Sequence, residues 1–370
     1  MELIDFSSSV WSIIPALLAI VLAIATRRVL VSLSAGIIVG ALMLGGWNIG
    51  PSFSYLSSNV ISLVYADGAI NSNMNIVLFL LLLGVLTALL TVSGSNRAFA
   101  EWAQSRIKGR RGAKLLAASL VFVTFIDDYF HSLAVGAIAR PVTDRFKVSR
   151  AKLAYILDST AAPMCVMMPV SSWGAYIITL VGGLLATYSI TEYTPIGAFV
   201  AMSSMNFYAI FSIIMVFFVA YFSFDIASMA RHEKLALENS EDELEEETGA
   251  KGHVRNLVLP ILVLIFSTVT MMIYTGASAL AADGKEFSIL GAFENTVVGT
   301  SLVVGGTCSI LVSTLLIIID RQVSVPEYAR SWIVGIKSMS GAIAILFFAW
   351  TINKAVSYTH LRAHETSAHL

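Results

Sequence analysis

Two adjacent carboxylates, Asp127 and Asp128, stand in the middle of an apolar stretch, and a third, Asp158, is followed at once by two hydroxyls, Ser159 and Thr160. An acid inside a membrane costs about 2.5 to 3.5 kcal/mol on insertion scales and is kept where ions, protons or substrates pass. Oxygen ligands of this kind suit a hard cation. A desolvated carboxylate also takes up a proton readily, so cation and proton would compete for the same groups. Asp127 and Asp128 would titrate as a coupled pair. On a helix they point about 100° apart, so only one faces an ion, and Asp127 is the favoured ligand. His131 lies four residues after Asp127, on the same helix face, as either a proton relay or a structural histidine. Arg140 is the nearby cation that would pair with the second aspartate or hold an anionic substrate.

Composition says what must position these groups. The 370 residues are 57% hydrophobic and 13% charged, with mean hydropathy +0.80. A chain so poor in charge cannot coat a water-exposed surface, which excludes a water-soluble enzyme, a nucleic-acid binder and a disordered regulator. Cys165 and Cys308 both lie in apolar runs, as packing residues rather than a disulfide or cluster framework. The text has no phosphate-cradling glycine loop, His-Glu-x-x-His or Gly-x-Ser-x-Gly elbow. An intramembrane aspartyl protease would also use two acids, but its Gly-x-Gly-Asp text is missing. The expectation is a transporter, not an enzyme, without a cofactor.

A span takes roughly 20 apolar helical residues. About eight candidates occur: 10–26, 29–44, 75–93, the overlong 153–185, 207–227, 257–280, 295–319 and 338–353. Lys and Arg mark the cytoplasmic loops. Arg27 and Arg28 join the first two spans, 45–73 and 186–205 carry no Lys or Arg, and Arg97, Arg106, Lys108, Arg110, Arg111 and Lys114 crowd the loop after 75–93. This alternation puts the N-terminus outside, with the first span retained, because the acidic start lacks a secretory signal. The resulting divisions are an N-terminal membrane half (1–230), an acidic cytoplasmic linker (231–256) containing the run 241–247, further spans (257–325), and the start of a second repeat (326–355). Glu327 to Lys337 reads as an interfacial connector.

Residues 115–139 break the alternation, being basic on both flanks. A re-entrant hairpin satisfies this, with Asp127 and Asp128 at its tip and arms reaching roughly 18 to 20 Å into a ~30 Å core. Within 153–185, Pro163 and Pro169 predict a broken helix whose unwound carbonyls join Asp158, Ser159 and Thr160 in holding Na+. Spans 75–93 and 338–353 run in opposite senses, as the opening spans of an inverted repeat would. The fold class expected is therefore all-α, a polytopic membrane transporter with inverted repeats, a re-entrant hairpin and a broken helix.

Phe125-Ile-Asp-Asp-Tyr129, Arg140-Pro-Val-Thr-Asp-Arg145, the stretch Ser149-Arg-Ala-Lys-Leu-Ala-Tyr-Ile-Leu-Asp-Ser-Thr-Ala-Ala-Pro163, and Gly335-Ile-Lys-Ser-Met339 with Ala349-Trp350 resemble the NhaC family of sodium/proton antiporters. The resemblance implies exchange of Na+ (or Li+) for H+ by alternating access at a prokaryotic cytoplasmic membrane, with malate/lactate-type organic-acid exchange as the alternative. Asp127, Asp128 and Asp158 are the expected Na+ ligands, aided by Ser159 and Thr160. The expected partners are lipid and small ions, not nucleic acid. Gly36-Ile-Ile-Val-Gly40 has a close-approach spacing that serves packing or a homodimer. Residues 356–370 resemble a translated sequencing adapter and are expected to be non-native, with the native chain continuing past Ala355 into a second hairpin that completes the site.

Overall fold

Apolar segments fold as helices in lipid because nothing else satisfies their backbone polar groups. The computed structural model describes residues 4, 6, 9–66, 68–71, 73–169, 171–238, 252–321 and 323–360. A 3-10 turn (Val10–Ile13) opens into α1 (Ile14–Thr26), α2 (Val29–Leu44) and α3 (Ile49–Val64). Two short antiparallel strands follow, β1 (Tyr65–Ala66) and β2 (Ala69–Ile70), with Tyr65 opposite Ile70. Next come α4 (Asn73–Val92), α5 (Ser95–Arg106), α6 (Gly109–Ser119), α7 (Val121–Thr124), α8 (Asp128–Arg145), α9 (Arg150–Met167) and α10 (Ser172–Thr187). The order ends with α11 (Pro195–Ser204), α12 (Phe207–Phe222), α13 (Ala227–Glu238), α14 (Arg255–Ala282), α15 (Ile289–Glu294), α16 (Val298–Asp320) and α17 (Val325–His360).

The protein is all-α and polytopic. Among the described residues, five helical segments are long and apolar enough to cross a membrane: Met74–Val92, Phe207–Glu238, Arg255–Ala282, Val298–Asp320 and Val325–Ile352. Shorter apolar helices occupy Val10–Thr26, Val29–Leu44 and Pro195–Ser204.

Several boundaries differ from expectation. The supposed loop 45–73 contains α3 and the strand pair, and 186–205 contains α11. The start of α11 is set locally, since Thr194 Oγ1 accepts the Gly197 N–H at 3.0 Å and Pro195 is its first residue. Residues 327–337 form no separate connector but the first turns of α17. There Ser324 and Glu327 make a reciprocal cap: the Ser324 N–H donates to Glu327 Oε2 at 2.9 Å, and the Glu327 N–H donates to Ser324 Oγ at 3.4 Å. No helix breaker follows, so the helix runs straight into the span and on through His360, across the boundary drawn at 356. The expected linker is helical at its start, in α13, while the acidic run 241–247 lies outside the described residues.

The chain forms two compact units, Met1–Leu78 with Ser338–Leu370, and Phe79–Lys337. In the first, the chain turns at Arg27 (φ 54°) and α2 packs on α1. Gly36 permits this, because a Cβ there would lie 2.8 Å from the Pro15 carbonyl and 3.0 Å from Ala19 Cβ. The close-approach spacing thus serves a helix pair within the chain. In the second unit, Phe79, Leu83, Leu86 and Leu90 of α4 share a core with Ile138 and Val142 of α8, Leu264 of α14 and Leu302 and Ile310 of α16. The pair α14 and α16 is tied by Ser309 Oγ donating to the Pro260 carbonyl at 2.7 Å. At its end Asp320 accepts from Arg255 at 2.5 Å and from Asn256 Nδ2 at 2.6 Å.

Candidate functional site

The site begins where α7 stops. The helix ends at Thr124, the chain crosses Phe125, Ile126 and Asp127, and α8 starts at Asp128. Ala117 and Ala118 of α6 share one buried cluster with Val135 and Ala139 of α8, so the two arms lie side by side through small residues. The Asp127 carbonyl accepts the His131 N–H at 2.9 Å, which makes Asp127 the residue at the mouth of α8. Carboxylates there meet the positive end of the helix dipole. Asp127 is buried at 7% exposure, whereas Asp128 is half-buried.

A second break lies nearby. Pro163 does not unwind α9; it removes one N–H and frees the Ser159 carbonyl, and Ser212 Oγ of α12 donates to that carbonyl at 2.8 Å. The helix runs on to Met167, and the break falls at Met168, which is extended (φ −98°, ψ 121°) ahead of Pro169. Ser171 restarts the chain: its Oγ donates to the Met168 carbonyl at 2.8 Å, also contacts the Cys165 carbonyl, and accepts the Gly174 N–H at 2.8 Å. A Cβ on Gly174 would overlap the Met168 carbonyl, so only glycine fits.

The two breaks touch. Cys165 Sγ donates to the Phe125 carbonyl at 3.1 Å, and Trp173 Nε1 donates to Asp128 Oδ1 at 3.1 Å. Beneath them His131, fully buried, is held between Thr124 Oγ1 at 2.7 Å from Nδ1 and Thr160 Oγ1 at 3.2 Å from Nε2. Both threonine hydroxyls also reach their own helix carbonyls, Leu120 at 2.8 Å and Ile156 at 2.7 Å. A hydroxyl has one proton, so around a neutral imidazole one threonine must turn its proton to the ring.

Four of the expected residues are therefore gathered: Asp127, Asp128, His131 and Thr160. The other three are not. Asp158 is exposed on α9, since 158, 159 and 160 take successive steps of an intact helix and only Thr160 faces His131. Ser159 faces α12, in a groove with Tyr155, Phe207 and Ser212. Arg140 is exposed and pairs with Asp144 one turn on, at 3.6 Å. It stands 12 residues along α8 from Asp128, about 18 Å of helix. Among the described residues no three His, Cys, Asp or Glu side chains converge on a metal-sized site, so the expected trio of aspartates is not assembled. Sequence reasoning gave no site role to Thr124 or Cys165, and read Ser171, Trp173 and Gly174 only as part of the broken helix. The Ser-x-x-Gly restart after Pro169 was the local signal for the last three.

Residues 164–364 match the Na+/H+ antiporter family. The chain belongs to the Na+/H+ antiporter family. An uncharacterized protein of Haemophilus influenzae is 90% identical over 356 residues, covering 96% of this chain and 69% of its own length. No solved structure matches. Membership points to a transporter, and its helices make it a multi-pass membrane protein. The family match takes in the break at Met168–Ser171 and the chain on to residue 364, whereas Asp127, Asp128 and Asp158 precede it.

Proposed function

We propose that this antiporter exchanges Na+, with Li+ as a second cation, for H+ across the prokaryotic cytoplasmic membrane by alternating access, as a member of the NhaC branch serving pH homeostasis. The observation that carries the reading is the meeting of two helix breaks at a buried carboxylate, Asp127, joined by the Cys165–Phe125 and Trp173–Asp128 hydrogen bonds. Broken membrane helices offer backbone carbonyls and helix ends as ion ligands, at the one kind of place where irregular backbone is tolerated at depth. Asp127 binds either the cation or the proton, because burial disfavours its bare charge and a bound cation restores it. Asp128, steadied by Trp173, is the second carboxylate. The hairpin α6–α8 enters and leaves from the cytoplasmic side, where its flanks are basic, and the N-terminus is outside.

The alternative, organic-acid exchange, would use Arg140 as the cation for the anion, and Arg140 pairs with Asp144 one turn on along α8. The test uses the full-length protein in proteoliposomes with a pH dye, adding NaCl, LiCl, KCl, malate and lactate separately against an imposed proton gradient. Dissipation by Na+ or Li+ is expected. A response to malate or lactate alone would reverse the assignment.

A further inference from the structure

The antiporter buries a second group of charges that ion exchange does not use, at the feet of the helices that carry the site. α12 ends at Ser223 in the left-handed region (φ 54°), and the chain passes through Asp225 into α13. From this corner four contacts reach two helices. Lys114 of α6, with 1% exposure, donates from Nζ to Ser223 Oγ at 2.8 Å. Arg110 of α6 pairs with Glu233 at 2.7 Å. On α9, Lys152, as buried as Lys114, pairs with Asp225. Finally, Glu233 Oε1 accepts the N–H of Ser149, the residue that caps α9, at 2.7 Å. Arg111 lies over the Tyr221 ring at 4.6 Å and closes the outer side.

One carboxylate, Glu233, therefore holds the start of α6 and the start of α9 at once. α6 is the entering arm of the hairpin whose break carries Asp127, and α9 carries Thr160 and Cys165. Three cations, Arg110, Lys114 and Lys152, stand against two carboxylates, Asp225 and Glu233, so removal of Asp225 leaves the buried Lys152 without its partner and removal of Glu233 leaves the half-buried Arg110 without one. Burial pushes the pKa of Lys114, at the hairpin's foot, downward, while Glu233 and Asp225 push it back up. Surface charge on a solvated helix would do none of this.

We propose that the segment from Ser223 to Glu238 is a clasp, in which Ser223, Asp225 and Glu233 are positioning residues that hold the feet of α6 and α9 together and so keep the two helix breaks in register for ion binding. This rests on the antiport reading for its purpose but not for its geometry.

The reporter of register is Cys165, buried with its thiol on the Phe125 carbonyl at the junction of the breaks. In full-length protein carrying Cys308→Ser and any further cysteine replaced, the labelling rate of Cys165 by a membrane-permeant maleimide is compared for wild type, Glu233→Gln and Glu233→Ala. Glu233→Gln keeps the shape and an acceptor for the Ser149 N–H but loses the charge facing Arg110. Labelling is expected to accelerate about tenfold in Glu233→Ala and less in Glu233→Gln, the change that losing charge-assisted hydrogen bonds makes in a local opening equilibrium. The Na+ KM should rise in the same order, with maximal turnover changed less. Ser309→Ala, which removes a bond between α14 and α16 away from the clasp, should leave labelling as in wild type. Wild-type labelling rates in Glu233→Gln, and in Glu233→Ala where it folds, would overturn the clasp whatever the transport result. Faster labelling in a protein whose wild type exchanges no Na+ would keep the clasp and remove the antiport reading.

Discussion

Gly335→Ala tests whether helix packing or helix propensity governs the crossing of α17 with α4. A Cβ at Gly335 would stand 2.5 Å from Val85 Cα and 2.6 Å from the Gly84 carbonyl carbon and oxygen, all main-chain atoms of α4. Ordinary contact begins at 3.4 Å, so the two backbones must part by about 0.9 Å. Neither partner is a side chain that can swing away. Overpacking of this kind costs typically about 1–3 kcal/mol. Against it stands the gain of about 0.8–1.0 kcal/mol that alanine brings over glycine in a helix interior. The net expectation is a loss of up to about 2 kcal/mol. Gly341 supplies the matched control, since it lies in the same helix with nothing within 4 Å of an added Cβ. Gly341→Ala should therefore stabilise while Gly335→Ala destabilises. Thermal unfolding of the purified protein in one detergent, followed by circular dichroism, reads both. Equal stabilisation by the two substitutions would refute the close crossing.

Other consequences are equally specific. Ser212→Ala removes the donor to the Ser159 carbonyl and should cost about 1 kcal/mol, an effect that largely disappears when Pro163→Ala restores the helix's own N–H, as a double-mutant cycle of unfolding free energies would show. Lys152→Met alone strands Asp225 and should cost about 3–5 kcal/mol, whereas Lys152→Met with Asp225→Leu should recover most of the unfolding midpoint. Trp173→Phe keeps the ring but loses the N–H to Asp128, and should weaken Na+ binding by about tenfold at most, measured as the Na+ concentration for half-maximal proton release. An unchanged midpoint there would take Asp128 out of the site.

Much of this architecture is legible in the sequence because its signals are local. Basic residues on both sides of 115–139 place the Asp127 break within a pair of arms that the structure packs side by side. That Asp158 and Ser159 lie apart from Asp127 while Thr160 joins His131 has a definite cause. Pro163 looks like a helix breaker, yet Ser212, 53 positions away, takes up the carbonyl it frees, and the break falls instead after Met167, next to Pro169. Arg140 illustrates the reverse case, since Asp144 one turn on was a visible partner that outcompetes an aspartate three turns back. Asp225 reads as the end of a span and Glu233 as part of the linker 231–256, because their partners Arg110, Ser149 and Lys152 lie more than 70 positions earlier. Only the tertiary structure brings such pairs together.

The proposed exchange requires cation and proton to compete for Asp127. Proton release on adding NaCl to the full-length protein in weakly buffered detergent, with no membrane gradient, measures that competition directly. Wild type should release protons saturably with Na+ or Li+, and Asp127→Asn, folded to the same midpoint, should release none. Undiminished release from Asp127→Asn would contradict the account.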